Sequence, residues 1–255
     1  MNIKVGDGIK TVLIIGAVFF LCGSSFPEKS KLIQAKIAAE IQIPKWYHEG
    51  LYFDGKNVWV NNGEGGKTWI MDTSSGSVIK EIEPVGTFTE SITLKSDNLF
   101  FVTDWNSEKI YTIRIEKGRM IAQSEVCISP AHPAGAIWNG SNLFVITWTR
   151  GLYGTKFHII KMDDKFNIAT KKRINRIQEP AHLAWDGKNL WISSWYDRRV
   201  YKVEPENFEI TGYFKSPVER TTGIAWDGRY LWLTGTNANL YRIEIAMTKK
   251  NQEGK

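Results

Sequence analysis

One ten-residue phrase recurs five times along this chain of 255 residues, and that recurrence limits the fold more than any other feature. It runs Gly50-Leu-Tyr-Phe-Asp-Gly-Lys-Asn-Val-Trp59, then Ser91-Ile-Thr-Leu-Lys-Ser-Asp-Asn-Leu-Phe100, then Gly135-Ala-Ile-Trp-Asn-Gly-Ser-Asn-Leu-Phe144. The last two copies are His182-Leu-Ala-Trp-Asp-Gly-Lys-Asn-Leu-Trp191 and Gly223-Ile-Ala-Trp-Asp-Gly-Arg-Tyr-Leu-Trp232. Their closing aromatics, at 59, 100, 144, 191 and 232, stand 41, 44, 47 and 41 residues apart. A period in the low forties is that of a propeller blade.

Each unit carries the pieces of a four-stranded antiparallel sheet. An apolar strand meets an Asp-Gly, Asn-Gly or Ser96-Asp97 turn, whose residues tolerate the positive φ of a tight hairpin. A Leu-Trp or Leu-Phe strand follows, then a polar loop, a third strand such as Val200-Tyr-Lys-Val203, and an outer fourth strand such as Ile210-Thr-Gly-Tyr-Phe214. Pro44, Pro84, Pro130, Pro180 and Pro217 mark the boundaries between units. The fifth unit ends after its third strand at Ile245, so the segment 35–44 is expected to supply the missing strand and close the ring. The Ala and Glu content of the first half of that segment also suits a helical turn. The expected fold is therefore all-β: a single five-bladed β-propeller whose last blade is closed by the N-terminal strand. Blades fall at about 47–83, 84–129, 130–178, 179–216 and 217–245, preceded by a segment 26–46 and followed by a basic tail 246–255.

The composition agrees: 12 Phe, 9 Tyr and 11 Trp favour half-buried strands. At 42% hydrophobic and 24% charged residues the chain is neither disordered nor an integral membrane protein. Lys4 and Lys10 precede Thr11–Leu21, an apolar run too short to span a bilayer comfortably, with small residues Gly23, Ser24 and Ser25 behind it. Residues 1–25 thus read as a signal peptide, which makes the protein secreted or periplasmic and leaves no stable membrane span after cleavage. A lipid anchor at Cys22 is not expected, because Leu21 stands where a small residue is needed. Cleavage leaves Cys127 alone, so no intrachain disulfide forms; flanked by Val126 and Ile128, it reads as a buried thiol. The formal charge of +6 includes Lys171, Lys172 and Arg173, which suit a solvated outer strand better than nucleic acid, and no nucleic-acid partner is expected.

Several local patterns are explained by the repeat itself. Gly63-Glu-Gly-Gly-Lys-Thr68 lacks the glycine of a phosphate loop at Asn61 and precedes a strand, so it is a hairpin loop. Asn139-Gly-Ser141 is a turn as well as a glycosylation pattern. His48, His132 and His182 fall near the starts of inner strands and read as polar residues of the channel mouth. They lack the spacing of a metal site, and neither metal nor cofactor is expected.

Loops between second and third strands share one rim with loops leading into each first strand, and ligands of such folds enter at that rim. The former carry Trp105, Trp148 and Trp195 at matching points of three blades, with Gly63 and Thr236 in the other two. The latter bring Tyr47, Glu49, Phe88, Glu90 and Glu219. Three tryptophans off the hairpin strands suggest a ligand-facing wall, whereas Trp59, Trp138, Trp185, Trp191, Trp226 and Trp232 should pack between blades. A carboxylate among aromatics has its pKa raised toward neutrality, as acid–base work requires, and Glu90 is the candidate.

From Tyr47 to Ile245 the chain resembles the propeller-type glutaminyl-peptide cyclotransferases. The resemblance rests on Tyr47-His-Glu-Gly-Leu51, on Phe88-Thr-Glu-Ser-Ile-Thr-Leu94 with Trp105 at the family's distance from Glu90, and on Gly223-Ile-Ala-Trp-Asp and Leu233-Thr-Gly-Thr236 in the last blade. It implies a rim pocket that converts N-terminal glutamine to pyroglutamate, with Glu90 moving the proton and Phe88, Trp105 and Trp195 as walls. The chain departs from the family pattern at Thr236, where a lysine is expected, at Glu49, where a glutamine is expected, and at Ala134, where a tryptophan is expected. The expected partner is a peptide N-terminus or a small molecule bound by a monomer. A non-catalytic binding or scaffold propeller is the other reading, and a metal-dependent lactonase-like site lacks its ligand set.

Overall fold

Asp54, Asp186 and Asp227 explain why the recurring phrase folds the same way each time. In each turn one carboxylate oxygen accepts the N–H groups of the residues two and three positions on, at 2.6–2.9 Å. The intervening glycines, Gly55, Gly187 and Gly228, hold φ at 96°, 91° and 96°, where a side chain would be strained. The second oxygen accepts the indole N–H of Trp59, Trp191 or Trp232 at 2.7–2.8 Å, tying the turn to the strand it starts. Asn139 caps its turn in the same way, and its partner position holds Phe144, which has no N–H to satisfy.

The computed structural model describes residues 30–246, all strand and loop with no helix among them; the expected signal segment, Cys22 and nearly all of the basic tail lie outside these residues. Two strands come first, the two-residue β1 (Lys31–Leu32) and the eight-residue β2 (Ala35–Gln42). Blade one holds β3–β6 (His48–Phe53, Val58–Asn62, Thr68–Met71, Val78–Ile82), and blade two β7–β10 (Thr89–Ser96, Leu99–Asp104, Lys109–Glu116, Arg119–Cys127). Blade three holds β11–β14 (His132–Trp138, Leu143–Gly151, Gly154–Met162, Ile168–Arg173), and blade four β15–β18 (Pro180–Trp185, Leu190–Ser194, Arg199–Val203, Ile210–Lys215). Blade five is β19–β21 (Thr221–Trp226, Tyr230–Gly235, Asn239–Ile245) completed by β2, so the five sheets form a five-bladed propeller closed by its N-terminal strand.

Closure runs antiparallel from Ala35 opposite Ile245 to Gln42 opposite Asn239, so the whole of 35–42 is strand and the helical alternative for its first half is replaced. Pairing wins over helix propensity because β21 otherwise leaves a row of backbone groups unpaired. Asn239 adds a bond to Glu40 at 2.7 Å. One element carries no periodic signal at all: β1 lies parallel to β18, with Lys31 opposite Gly212, giving blade four a fifth strand. A Cβ at Gly212 would come within 2.8 Å of Ile33 and 2.9 Å of the Lys31 carbonyl, so only glycine admits it.

The core is five wedges, one per blade interface. Trp59 packs with Ile92 and Phe100 between blades one and two; Trp191 with Ile224 and Leu233 between four and five; Trp232 with Leu51 and Val60 between five and one. Trp138, Trp185 and Trp226 pack against such wedges from partly buried positions. Burying a large side chain of this kind stabilises by roughly 1.5–3 kcal/mol. Cys127 is exposed, which corrects the buried thiol expected from its neighbours. It ends the outermost strand of blade two, and that strand faces solvent along most of its length.

Candidate functional site

All five inner strands are interrupted at the same level by one extra residue. The register slips between His48 and Leu51, Thr89 and Ser91, Pro133 and Ala136, Pro180 and Leu183, and Thr221 and Gly223. A bulge re-aims a side chain and frees it from the ladder. In blades one and two the bulges carry Glu49 and Glu90; the matching places in the other blades hold Ala134, Ala181 and Thr222. Two carboxyl groups on neighbouring blades thus face small or neutral residues around the rest of the ring.

The environment of the two acids is partly buried and charged alike. Desolvation raises the Glu49 carboxyl to about 8. The Glu90 carboxyl is raised well above the usual carboxylate range by desolvation, then by the charges of Glu49 and Asp104. Asp104 is fully buried and organises the loop around Glu90, accepting the Phe88 N–H at 2.7 Å and the Ser107 N–H at 2.9 Å. Tyr47 feels Glu49, Glu64 and Glu90 as well as the positive charge of Arg220, and burial is the largest cause of its raised pKa.

Aromatic walls stand beside these groups. Tyr47 meets Phe88 edge to face at 5.9 Å. Gly63 holds the blade-one position that Trp105, Trp148 and Trp195 occupy in three other blades, and a Cβ there would lie 2.6 Å from Phe88 and 3.2 Å from Glu49. Phe88 takes the space that a fourth tryptophan would need. The two kinds of rim loop are joined by backbone bonds: Gly63 N–H to the Tyr47 carbonyl at 2.8 Å, Trp105 to Phe88 at 2.9 Å and Trp195 to Glu179 at 2.9 Å.

Trp105 and Trp148 meet edge to face at 5.5 Å, with His132 stacked on Trp105 at 4.7 Å and the Trp148 indole N–H bonded to the Pro180 carbonyl at 2.8 Å. Trp195 lies under the Arg220 guanidinium, 4.3 Å from its ring centre. The candidates therefore form a cluster of Tyr47, Glu49, Phe88 and Glu90, with the charge of Arg220 felt at Tyr47, and an adjoining pair, Trp105 and Trp148. Thr236 and Glu219 are exposed on their turns.

Two of the three histidines depart from their expected place at the channel mouth. His48 is buried against Trp69 and bonded to Asn62, while His182 is only 1% exposed. Around the axis, His182 is level with Gly50, Ser91, Gly135 and Gly223 in the repeat, so one imidazole fills space left by glycines. A Cβ on Gly50 would lie 2.4 Å from its Nε2 and 2.2 Å from the Glu90 carbonyl oxygen. Its Nδ1–H donates to the Ile224 carbonyl at 3.1 Å, Nε2 has no partner, and burial lowers its pKa to about 4, so it is a neutral floor beneath the acids. Among the described residues no three His, Cys, Asp or Glu side chains are grouped so as to hold a metal.

Arg220 is the participant that sequence reasoning missed, while His182 was read as a polar residue of the channel mouth and is instead buried. Arg220 adjoins Glu219 in a loop already assigned to the rim, and His182 opens one of the recurring phrases where the others have Gly or Ser. Two clefts of about 580 and 590 Å³ lie away from these groups, one beside β2 and the other at the outer strands of blades three and four.

No protein-family model matches the sequence, and neither does any curated protein. Among solved structures, the fold is similar to glutaminyl cyclase of Myxococcus xanthus, with a TM-score of 0.68 at 14% identity over 85% of this chain and 98% of that one. It is also similar to the PQQ-bound aldose sugar dehydrogenase of Streptomyces coelicolor, with a TM-score of 0.58 at 12% identity over 85% and 99% of the two chains. At such identities the likeness establishes architecture, and chemistry must be argued from the site. The chain is a five-bladed β-propeller similar in fold to glutaminyl cyclase.

Proposed function

We propose that this is an exported propeller whose rim receives the free N-terminus of a peptide at Glu49 and Glu90 and cyclises N-terminal glutamine to pyroglutamate. The observation that carries the reading is the pair of partly buried carboxyl groups, placed by matching bulges and walled by Tyr47 and Phe88. Desolvation and mutual repulsion keep protons on an empty pair near neutral pH. An α-ammonium, with an ordinary pKa of about 7.7–8.0, supplies the positive charge that lets one member ionise.

In the reaction the bound α-ammonium first loses one proton to solvent, and the resulting neutral α-nitrogen attacks the carbon of the glutamine carboxamide, so that a C–N bond forms. The nitrogen's proton passes to the Glu90 carboxylate and from it to the carboxamide nitrogen. The old C–N bond then breaks and ammonia leaves, with Glu90 restored. Negative charge develops on the carboxamide oxygen, and the cation that acts on the site's wall is Arg220, held over Trp195 and felt at Tyr47.

The second reading is a propeller that binds a peptide terminus or small ligand without turnover. It is favoured by one fact, the exposed neutral Thr236 where the resemblance calls for lysine. The two separate when the purified protein is incubated with a Gln-initiated peptide and ammonia and the blocked terminus are measured. Turnover at least roughly a hundredfold above a Glu90→Gln control is expected, on the order of what acid–base catalysis contributes. Turnover no higher than that control ends the cyclase reading, and turnover that appears only after Thr236→Lys assigns the chain to binding.

A further inference from the structure

Among the described residues, the most exposed large apolar side chains sit together at the tip of one hairpin on the rim that carries Glu49 and Glu90. Leu152 and Tyr153 are 98% and 97% exposed, at the turn between β12 and β13. This hairpin stays paired from Trp148 opposite Phe157 out to Gly151 opposite Gly154. At about 3.3 Å per residue its tip stands roughly 10 Å beyond Trp148. Arg150 and Lys156 flank the tip, both exposed, and no Asp or Glu occurs between Leu143 and Met162.

The rim as a whole differs from its opposite. Trp46, Tyr47 and Tyr196 are also exposed on it, by 53%, 56% and 66%, whereas the opposite ends of the first hairpins are the polar turns at Asp54, Asn139, Asp186 and Asp227. A Leu-Tyr pair surrounded by water is unfavourable in a free monomer. Leucine at the acyl boundary, tyrosine at the headgroup level and flanking cations on lipid phosphates together make a peripheral membrane contact.

We infer that the β12–β13 hairpin docks this propeller on an anionic membrane surface, inserting Leu152 and Tyr153 with Arg150 and Lys156 against phosphate. The charge of the hairpin, cationic on both sides of the tip with no acid along its length, selects an anionic bilayer over a neutral one. Docked this way, the rim with Glu49 and Glu90 faces the membrane. The inference stands whether or not the Glu49–Glu90 site turns over glutamine.

The test places an environment-sensitive fluorophore on the full chain at Thr155→Cys, in a background carrying Cys22→Ser and Cys127→Ser. A second label at Lys188→Cys reports the opposite rim. Vesicles of phosphatidylglycerol are expected to blue-shift the Thr155 label and leave the Lys188 label unchanged. Apparent affinity should exceed that for phosphatidylcholine vesicles by roughly thirtyfold, consistent with two cations at the surface. Leu152→Ser with Tyr153→Ser should abolish the shift. An unshifted Thr155 label on anionic vesicles, or a shift that survives the double serine variant, overturns the proposal. A shift that grows with protein concentration and needs no vesicles assigns the tip to a second copy of the chain and also overturns it.

Discussion

Glu90 and Asp54 show how position alone sets the proton affinity of a carboxyl group in this fold. Asp54 takes backbone and indole N–H groups that hold it below its ordinary range, whereas burial and like charge push Glu90 upward. The raised pair has a consequence for stability. From the ordinary carboxylate pKa near 4.3 up to about 8 at Glu49, the folded chain binds more protons than the unfolded one. Stability contributed by the protonated pair is therefore present at low pH and is lost as pH rises through that window. Thermal unfolding from pH 5 to pH 8 should show this decline. Glu49→Gln and Glu90→Gln should flatten it, with Glu90→Gln melting roughly 2–4 °C above the parent at pH 8 for each kcal/mol of desolvation relieved. A parent whose melting point rises from pH 5 to pH 8 would show that the carboxyl pair is not desolvated. Glu90 and its aromatic neighbours were legible in the sequence because the repeat assigns their loops to one rim. Arg220 was not, since its place over Trp195 depends on how two loops of different lengths meet.

The hairpins are held by a pairing of Asp and Trp five residues apart, visible in the sequence as a recurrence and explained by the bonds it makes. Asp186→Ala removes the turn cap and leaves the Trp191 indole N–H unpaired, so it should cost about 1–3 kcal/mol. Asn139→Ala, with no indole to orphan at Phe144, should cost about 1 kcal/mol. Denaturant unfolding of both variants decides the point, and equal losses would show that the indole bond contributes nothing. Blade count, hairpin turns and ring closure could all be read from the repeat because each unit restates the same local chemistry. The bulges could not, because the two-residue alternation of a strand passes through an extra residue unmarked. The same holds for β1, two residues long, and for Cys127, whose apolar neighbours lie on a strand with no blade beyond it. The β12–β13 tip escaped because its sequence, Leu-Tyr between glycines, reads as strand until the hairpin is seen to outrun its blade.

At the scale of the molecule, the ring is closed by a strand whose Glu40 bonds Asn239, 199 residues further along the chain. Truncation through Gln42 should leave β21 with an unpaired edge, lower the melting temperature by roughly 5 °C or more, and produce self-association visible in light scattering. A truncated chain that stays monomeric and melts with the parent would show that closure by β2 is dispensable. The closed ring in turn brings Glu49 of the first blade beside Glu90 of the second, with Arg220 from the last acting on the neighbouring Tyr47. Whether that junction receives an α-amine is tested most directly by titrating a Gln-initiated peptide and its Nα-acetylated twin into the protein by calorimetry, with the Glu49→Gln, Glu90→Gln double variant alongside. The free amine should bind, with the acetylated twin and the double variant each weaker by at least roughly tenfold, the loss of about one charged hydrogen bond. Equal binding of the two peptides, or full affinity in the double variant, would contradict it.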